Sequence, residues 1–416
     1  MHVPFVRKRE NRKYRAATTS VLVCASIGFA ACDRSPSRVA ARITAVDPPS
    51  GPGALSPNLT SSGDHALLTW IEPGQDSGKR VRFSELAESG WTAPSTIAEG
   101  AAIIANWVDV PSAVRQSGSV LVAHWSEGVA GHAEASDVIV ARSSDAGVTW
   151  QRLGPLHRDH TPTEHGFVSL LPDGDGVLAF WLDGRDTIAG GSTSLRAARI
   201  TSEVGTDDVI DERVCDCCST SATATESGPV VTYRDRSDDE LRDPAAARRV
   251  GSTWTQRPVH ADGWKINGCP VNGPASASRG ATVAVGWFTS ANEQASIRLA
   301  FSADAGATFG PPISIDERDD KRTPLGRVDI SLLDSEDAIV SWLAATGDRA
   351  ELLVRRVARG GQAGRELSVA TLARDSGFPR MERVHDDLLF VWSDNANRQL
   401  RLVRLAAKDI PRVGAR

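Results

Sequence analysis

Apolar runs that close on an aromatic residue recur along the chain: LLTW at Trp70, LVAHW at Trp125, LAFW at Trp181, VVTY at Tyr233, VAVGW at Trp287, AIVSW at Trp342 and LLFVW at Trp392, 50 to 56 residues apart. A fixed interval of this length marks a repeat architecture and decides the fold before any local pattern does. Each unit reads as four short strands: a Ser/Val-rich one, the aromatic-ended one, one such as Asp137-Val-Ile-Val-Ala-Arg142, and a last one before the next connection. No helical 3.6-residue period of useful length competes. Seven such units predict an all-β chain, a seven-bladed β-propeller of four-stranded blades, in which neighbouring blades stack to bury both faces. Trp70, Trp125, Trp181, Trp287, Trp342 and Trp392 then belong between blades rather than in a ligand site. The last repeat, residues 377–407, lacks a fourth strand, which residues 42–46 could supply; a six-bladed ring in which the terminal repeats share one blade is the alternative.

A second pattern has its own phase within the units. Ser143, Asp145, Gly147, Thr149 and Trp150 share the order S-x-D-x-G-x-T-aromatic with Ser302, Asp304, Gly306, Thr308 and Phe309, and Gly251-x-Thr253-Trp254 and Gly90-Trp91 are partial copies. The residue types suit a tight turn, since Ser and Asp bond nearby backbone N–H groups and Gly takes positive φ. The pattern resembles the Asp-box, or BNR repeat, of the sialidase superfamily, over roughly residues 56–408. That resemblance implies a propeller with the Asp-box turns on one face; it fixes no single activity. The pair CDCC (215–218) and NGCPVNGP (267–274) also resembles bacterial envelope proteins of sialidase-like fold.

The N-terminus changes the picture of where the body resides. Arg7, Lys8, Arg9, Arg12, Lys13 and Arg15 precede the mostly apolar run 16–31, and Phe29-Ala-Ala-Cys32 resembles a lipobox. Residues 1–32 thus read as a lipoprotein signal ending at a lipidated Cys32, with an ordinary cleaved signal as the simpler reading. Residues 33–56, rich in Ser, Pro, Gly and Ala, read as a tether, 57–408 as the propeller and 409–416 as a tail. The expected location is the bacterial cell envelope, lipid-anchored, facing the periplasm or the surface. A net charge of -5 without a basic block gives a nucleic-acid partner no support.

In such a ring, the loops leading into each blade and the loops after each second strand open on one face, opposite the Asp-box turns, and ligands sit at the channel mouth. The lead-in segments read Trp107-Val-Asp109, Glu164-His165-Gly166-Phe167, Cys215-Asp-Cys-Cys218, Asn267-Gly-Cys-Pro270, Gly326-Arg-Val-Asp329 and Phe378-Pro-Arg380. Cys215, Cys217 and Cys218 therefore share one site with Cys269, although some fifty residues separate them. With Cys24 and Cys32 assigned to the leader, four cysteines remain, and three readings stay open. They form a disulfide, most simply from Cys269 to one of the triplet; or they hold Cu or Zn, with His165 as a further ligand; or they are free reactive thiols.

Sialidases, by resemblance, hold the sugar carboxylate with an arginine triad and use a Tyr–Glu nucleophile with an Asp acid/base. Of two tyrosines here, Tyr14 lies in the leader and Tyr233 at a core position. Arg185, Arg327 and Arg380 are candidates for an anion-binding cluster, and Asp109, Asp183 and Asp329 for glycosidic carboxylates. Three functional classes follow: a binding or redox module built on the thiols, an exo-acting glycoside hydrolase of sialidase type, and a scaffold whose top face binds a protein. The ligand is accordingly a small molecule, a glycan or a protein.

Overall fold

The computed structural model describes residues 41–412, apart from 320, together with residue 414. The leader, Tyr14, Cys24 and the lipobox Cys32 lie outside the described residues. Seven antiparallel sheets follow one another along the chain. Their innermost strands, Leu55–Ser62, Ser112–Ser117, His165–Asp173, Ser221–Thr225, Ala275–Arg279, Thr323–Leu332 and Arg380–Val384, each touch the next, and the last touches the first, so the ring has seven blades and not six. The seventh blade takes its outermost strand from the start of the body: Ile43–Val46 pairs with Leu402–Leu405 of strand Gln399–Ala406. The folded body thus begins ahead of residue 57, and Ile410, in the tail, is fully buried.

The repeat works because each junction between blades has its own apolar cluster and its own aromatic. Trp70 packs between blades seven and one, Trp125 between one and two, and Trp181 between two and three. Tyr233, Trp287, Trp342 and Trp392 fill the other four junctions. Removing one such ring from a packed interior costs about 3–5 kcal/mol. A buried indole N–H needs an acceptor, and the chain supplies a carboxylate for five of the six junction tryptophans. Trp70 donates to Glu72 (2.6 Å), Trp125 to Glu127 (2.8 Å) and Trp181 to Asp183 (2.8 Å), two residues on; Trp287 and Trp342 donate to Asp262 (2.6 Å) and Asp316 (2.7 Å) near the outer edge of the preceding blade.

Blade is fastened to blade at the mouth by a recurring device. A non-glycine residue at positive φ lies in the innermost strand of blades one, three and six, Ser56, Phe167 and Arg327, and Val271 takes the same conformation in the lead-in to blade five. In blades one, three and six a register shift follows it. The bulge turns a backbone N–H toward the preceding blade, where a short side chain accepts it: Phe167 N–H reaches Asp109 Oδ1 (2.9 Å) and Arg327 N–H reaches Asn272 Oδ1 (2.8 Å). Asp329 accepts from Met381 N–H of blade seven in the same way (2.8 Å). Gly166 is required beside this clasp, because a Cβ there would meet Asp109 Oδ2 at 2.6 Å.

On the opposite face the two S-x-D-x-G-x-T turns superimpose in their bonding. Gly147 and Gly306 N–H groups donate to Ser143 and Ser302 Oγ (2.8 and 2.9 Å), and Thr149 and Thr308 donate twice to Asp145 and Asp304. Trp150 returns its indole N–H to Gly147 O (3.1 Å), while Phe309 packs against the blade four–five cluster.

Candidate functional site

Cys217 and Cys269 form a disulfide, and Cys215 and Cys218 are free thiols. The sulfur group is therefore part bridge and part thiol. Cys269 is exposed on the loop before blade five and Cys217 is half-buried, whereas Cys215 and Cys218 are each 1% exposed. Cys215 Sγ lies 3.9 Å from Cys217 Sγ, beneath the bridge. The tight approach of the two blades depends on the second NG pair of NGCPVNGP: a Cβ on Gly273 would collide with the Ser219 carbonyl.

Two arginines surround the thiols. Arg242, 2% exposed, points Nη1 at Cys215 Sγ (3.3 Å) and is itself held by Glu240 (2.7 Å). Arg234, 1% exposed, spends its donors on the backbone carbonyls of Asn272, Phe288 and Arg242 and lies over the Trp264 ring at 5.0 Å. Its hydrogen-bond partners thus carry no negative charge, and a buried cation in that state favours an anion beside it. Burial raises the Cys215 thiol, but the Cys218 thiol, the Cys217 N–H, Arg234 and Arg242 outweigh it and bring Cys215 down to about 7. Cys218 moves the other way, raised by its burial and by the Cys215 charge. One thiol of the pair is thus set to ionise and the other to donate.

His165 stands apart from the sulfur group, which corrects its expected role as a partner of the cysteines. It precedes the bulge of blade three, in register with Asp183, and its ring faces Asp159 of the link from blade two at 3.3 Å and Asp183, the last residue of the blade's second strand, at 3.6 Å. Arg185 belongs there too, bound to Asp183 (2.6 Å), Asp207 (3.2 Å) and Asp159 (3.5 Å). Asp183 is fully buried, with Trp181 and Arg185 on its oxygens.

Arg327 and Arg380 come together without Arg185. Both lie against the Phe378 ring, at 5.7 and 5.8 Å, and Arg327 also covers Trp107 at 5.3 Å and donates to Gly377 O (2.7 Å). Burial lowers Arg327 to about 10. Arg380 faces an axial cavity of about 150 Å³ lined by Asn58, Thr60, Asp109, Ser112 and Ser169. Asp109 and Asp329 are raised by burial, a shift that the charge of Arg380 and their clasp hydrogen bonds oppose. Tyr233 donates its hydroxyl to Asp211 (2.6 Å) within the blade three–four core and is 1% exposed, so it offers no nucleophile at the mouth.

Three further charged groups were not among the residues expected to act at the site. Glu164 is exposed beside His165, and the crowded mouth and then the charges of Asp109, Asp216 and Glu134 push it up to about 7. Glu382 is raised to about 7 by burial and Asp329. Arg234 had a visible signal: it follows the aromatic of blade four, where the other blades carry Ile71, Ser126, Leu182, Phe288, Leu343 and Ser393.

Neither a protein-family profile nor a curated protein sequence matches this chain. Among solved structures, it is similar to an ulvan lyase of polysaccharide lyase family PL25, bound to a saccharide of glucuronate and sulfated rhamnose, at 9% identity over 87% of this chain and 96% of that one, with a TM-score of 0.57. It is also similar to an α-L-arabinanase of Penicillium chrysogenum complexed with arabinobiose, at 11% identity over 90% and 100%, TM-score 0.48. A NanB sialidase of Streptococcus pneumoniae follows at 12% identity over 88% and 71%, TM-score 0.46. At such identities the likeness is one of fold, the β-propeller.

Proposed function

We propose that the chain is a lipid-anchored envelope protein whose sialidase-like propeller carries a thiol–disulfide exchange centre at its mouth. One observation carries this reading: a buried, arginine-flanked thiol of Cys215 lies 3.9 Å from one sulfur of a bridge whose other sulfur, on Cys269, faces solvent. In the step that this arrangement favours, the Cys215 thiolate attacks Cys217 Sγ. A Cys215–Cys217 bond forms, the Cys217–Cys269 bond breaks, and Cys269 leaves as a solvent-exposed thiolate, with no net change of oxidation state. An external disulfide or thiol can then exchange with Cys269. The bridge itself supports an oxidising compartment, in line with the leader pattern. Where an external dithiol reduces the bridge, Cys217 joins Cys215 and Cys218, whose sulfurs lie within 4.8 Å of one another, a donor set suited to Cu(I) or Zn.

The test is trapping of Cys269 by iodoacetamide without reductant, followed by peptide mass mapping. Carboxamidomethylated Cys269 should accumulate with a Cys215–Cys217 bridge, faster as pH rises through about 7 because the attacking form is the thiolate. Cys215→Ser should abolish the trapping, and Arg242→Gln should move its midpoint upward by about one pH unit, the size expected for losing one charge-assisted hydrogen bond. A Cys269 that stays bridged between pH 5.5 and 9 removes the proposal.

A second reading, glycoside hydrolysis, rests on Glu164, an exposed carboxyl held near 7 beside the axial acids. The saccharide-bound lyase of like fold is consistent with a glycan at this mouth. The cluster of Glu134, Glu164 and Asp216 would repel a polyanion and suits a neutral sugar. Turnover of neutral aryl glycosides that vanishes in Glu164→Gln supports this reading, and a broad panel without turnover removes it.

A further inference from the structure

We infer that the junction of blades two and three holds a divalent cation on Asp159, His165 and Asp183, a site separate from the sulfur centre. The argument begins with the proton of His165. Its ring is fully buried, and Nδ1 lies 3.0 Å from the Ser136 carbonyl, which can only accept. Nδ1 therefore carries the hydrogen, and in the neutral ring Nε2 presents a lone pair. Among the described residues Nε2 has no hydrogen-bond partner, yet it faces Asp159 Oδ2 at 3.3 Å and Asp183 Oδ1 at 3.6 Å. Thr161 donates to Asp159 Oδ2 through both its N–H and its hydroxyl, and Arg185 and Trp181 donate to the oxygens of Asp183.

Three buried lone-pair donors facing one another repel unless a proton or a metal cation sits between them, and Nε2 lacks the hydrogen-bond geometry to either carboxylate that a shared proton would need. The separations suit a metal ion. Four-coordinate Zn²⁺ with bonds of about 2.0–2.2 Å places its ligand atoms about 3.3–3.6 Å apart. The surrounding contacts are those that fix metal ligands: a backbone carbonyl on the far nitrogen of His165, an indole N–H and a guanidinium on Asp183, and Thr161 on Asp159. Charge agrees as well. Asp137, Asp159, Asp183, Asp186 and Asp207 outnumber Arg185 and Arg196, so the local charge favours a bound cation.

His157 stacks on His165 with centroids 3.6 Å apart and planes 4° from parallel. Stacked rings keep their in-plane Nε2 lone pairs in separate, near-parallel planes, so the two do not aim at one ion; His157, bound through Nδ1 to Asp159 Oδ1 (2.8 Å), roofs the site. One imidazole and two carboxylates favour a borderline ion such as Zn²⁺, with water in the remaining position. Held by the link from blade two and by the first and second strands of blade three, the ion ties three segments of the mouth together.

The experiment uses protein carrying Cys215→Ser and Cys218→Ser with the Cys217–Cys269 bridge intact, so that no thiolate contributes. After stripping with chelator, Zn²⁺ is titrated while bound metal and the metal-dependent rise of the unfolding temperature are measured. One Zn²⁺ per chain is expected, at a Kd of about micromolar or tighter, with affinity falling about 100-fold or more in His165→Gln and in Asp159→Asn, two independent variants should either fail to fold. Absence of binding overturns the inference, as does Zn²⁺ bound equally by both variants. Because the sulfur ligands are gone, neither result bears on the exchange centre.

Discussion

Arg234 and Glu164 illustrate what single residues reveal. The arginine follows Tyr233 where every other blade places an apolar residue or serine, so the repeat itself marks blade four as unusual in the same unit as the cysteine triplet. Which thiol ionises is not written in that pattern, since it depends on burial and on Arg242 arriving from the loop after the second strand. His165 shows a sharper limit. Counting lead-in positions puts it beside the axis, but it lies ahead of the bulge between Gly166 and Ser169, and the axial cavity is lined by the strand from Phe167 onward. Glu164 carries the residue-scale prediction. Its folded value near 7 lies above the ordinary carboxyl range, so it keeps its proton up to about that pH and then loses it. If it donates a proton to a leaving glycoside, kcat/KM should fall tenfold per unit above pH 7. A pH–rate profile flat from 6 to 9 would contradict that role.

Among elements, the strands and tight turns were open to sequence because their signals are local: alternation, an aromatic terminus, and Ser/Asp/Gly at fixed offsets. The clasps between blades were not, because each pairs a side chain with a backbone N–H more than fifty residues away. Asp109 and Asp329 stand out in the sequence as acids near an axis, which invites a catalytic role; in the fold each spends an oxygen on the next blade. This assigns different costs to two substitutions of Asp109. Asparagine keeps a carbonyl for Phe167 N–H, can donate to Ser126 Oγ, and removes a buried charge. Alanine leaves the Phe167 N–H without its acceptor, at about 1–3 kcal/mol. Chemical denaturation should therefore rank Asp109→Asn close to wild type and Asp109→Ala well below it. Equal losses in the two variants would show that the charge, and not the clasp, is what the blade needs.

For the whole molecule, closure of the ring decides whether the mouth exists, because Cys217 and Cys269, Arg327 and Phe378, and Asp329 and Met381 are all contacts between blades. The count of seven was legible from the aromatic interval; the closing partner was legible only as a missing strand, since four residues carry too little pattern to be identified alone. Ile43–Val46 does more than complete a sheet. Ile43 packs into the cluster between blades six and seven and Val46 into that between seven and one, so one short strand fastens both junctions. A chain starting at Ala41 should keep the stability of the longer protein. One starting at Asp47 loses four paired residues and two half-buried side chains, a cost of about 2–3 kcal/mol, and bares the edge of strand Gln399–Ala406 to other molecules. Denaturant unfolding together with light scattering should thus show a less stable and more association-prone protein, rescued by a peptide of residues 41–48 added in trans. If the shortened chain unfolds at the same denaturant concentration and stays monomeric, the seventh blade closes without its borrowed strand, and the ring is held by the clasps and aromatic clusters alone.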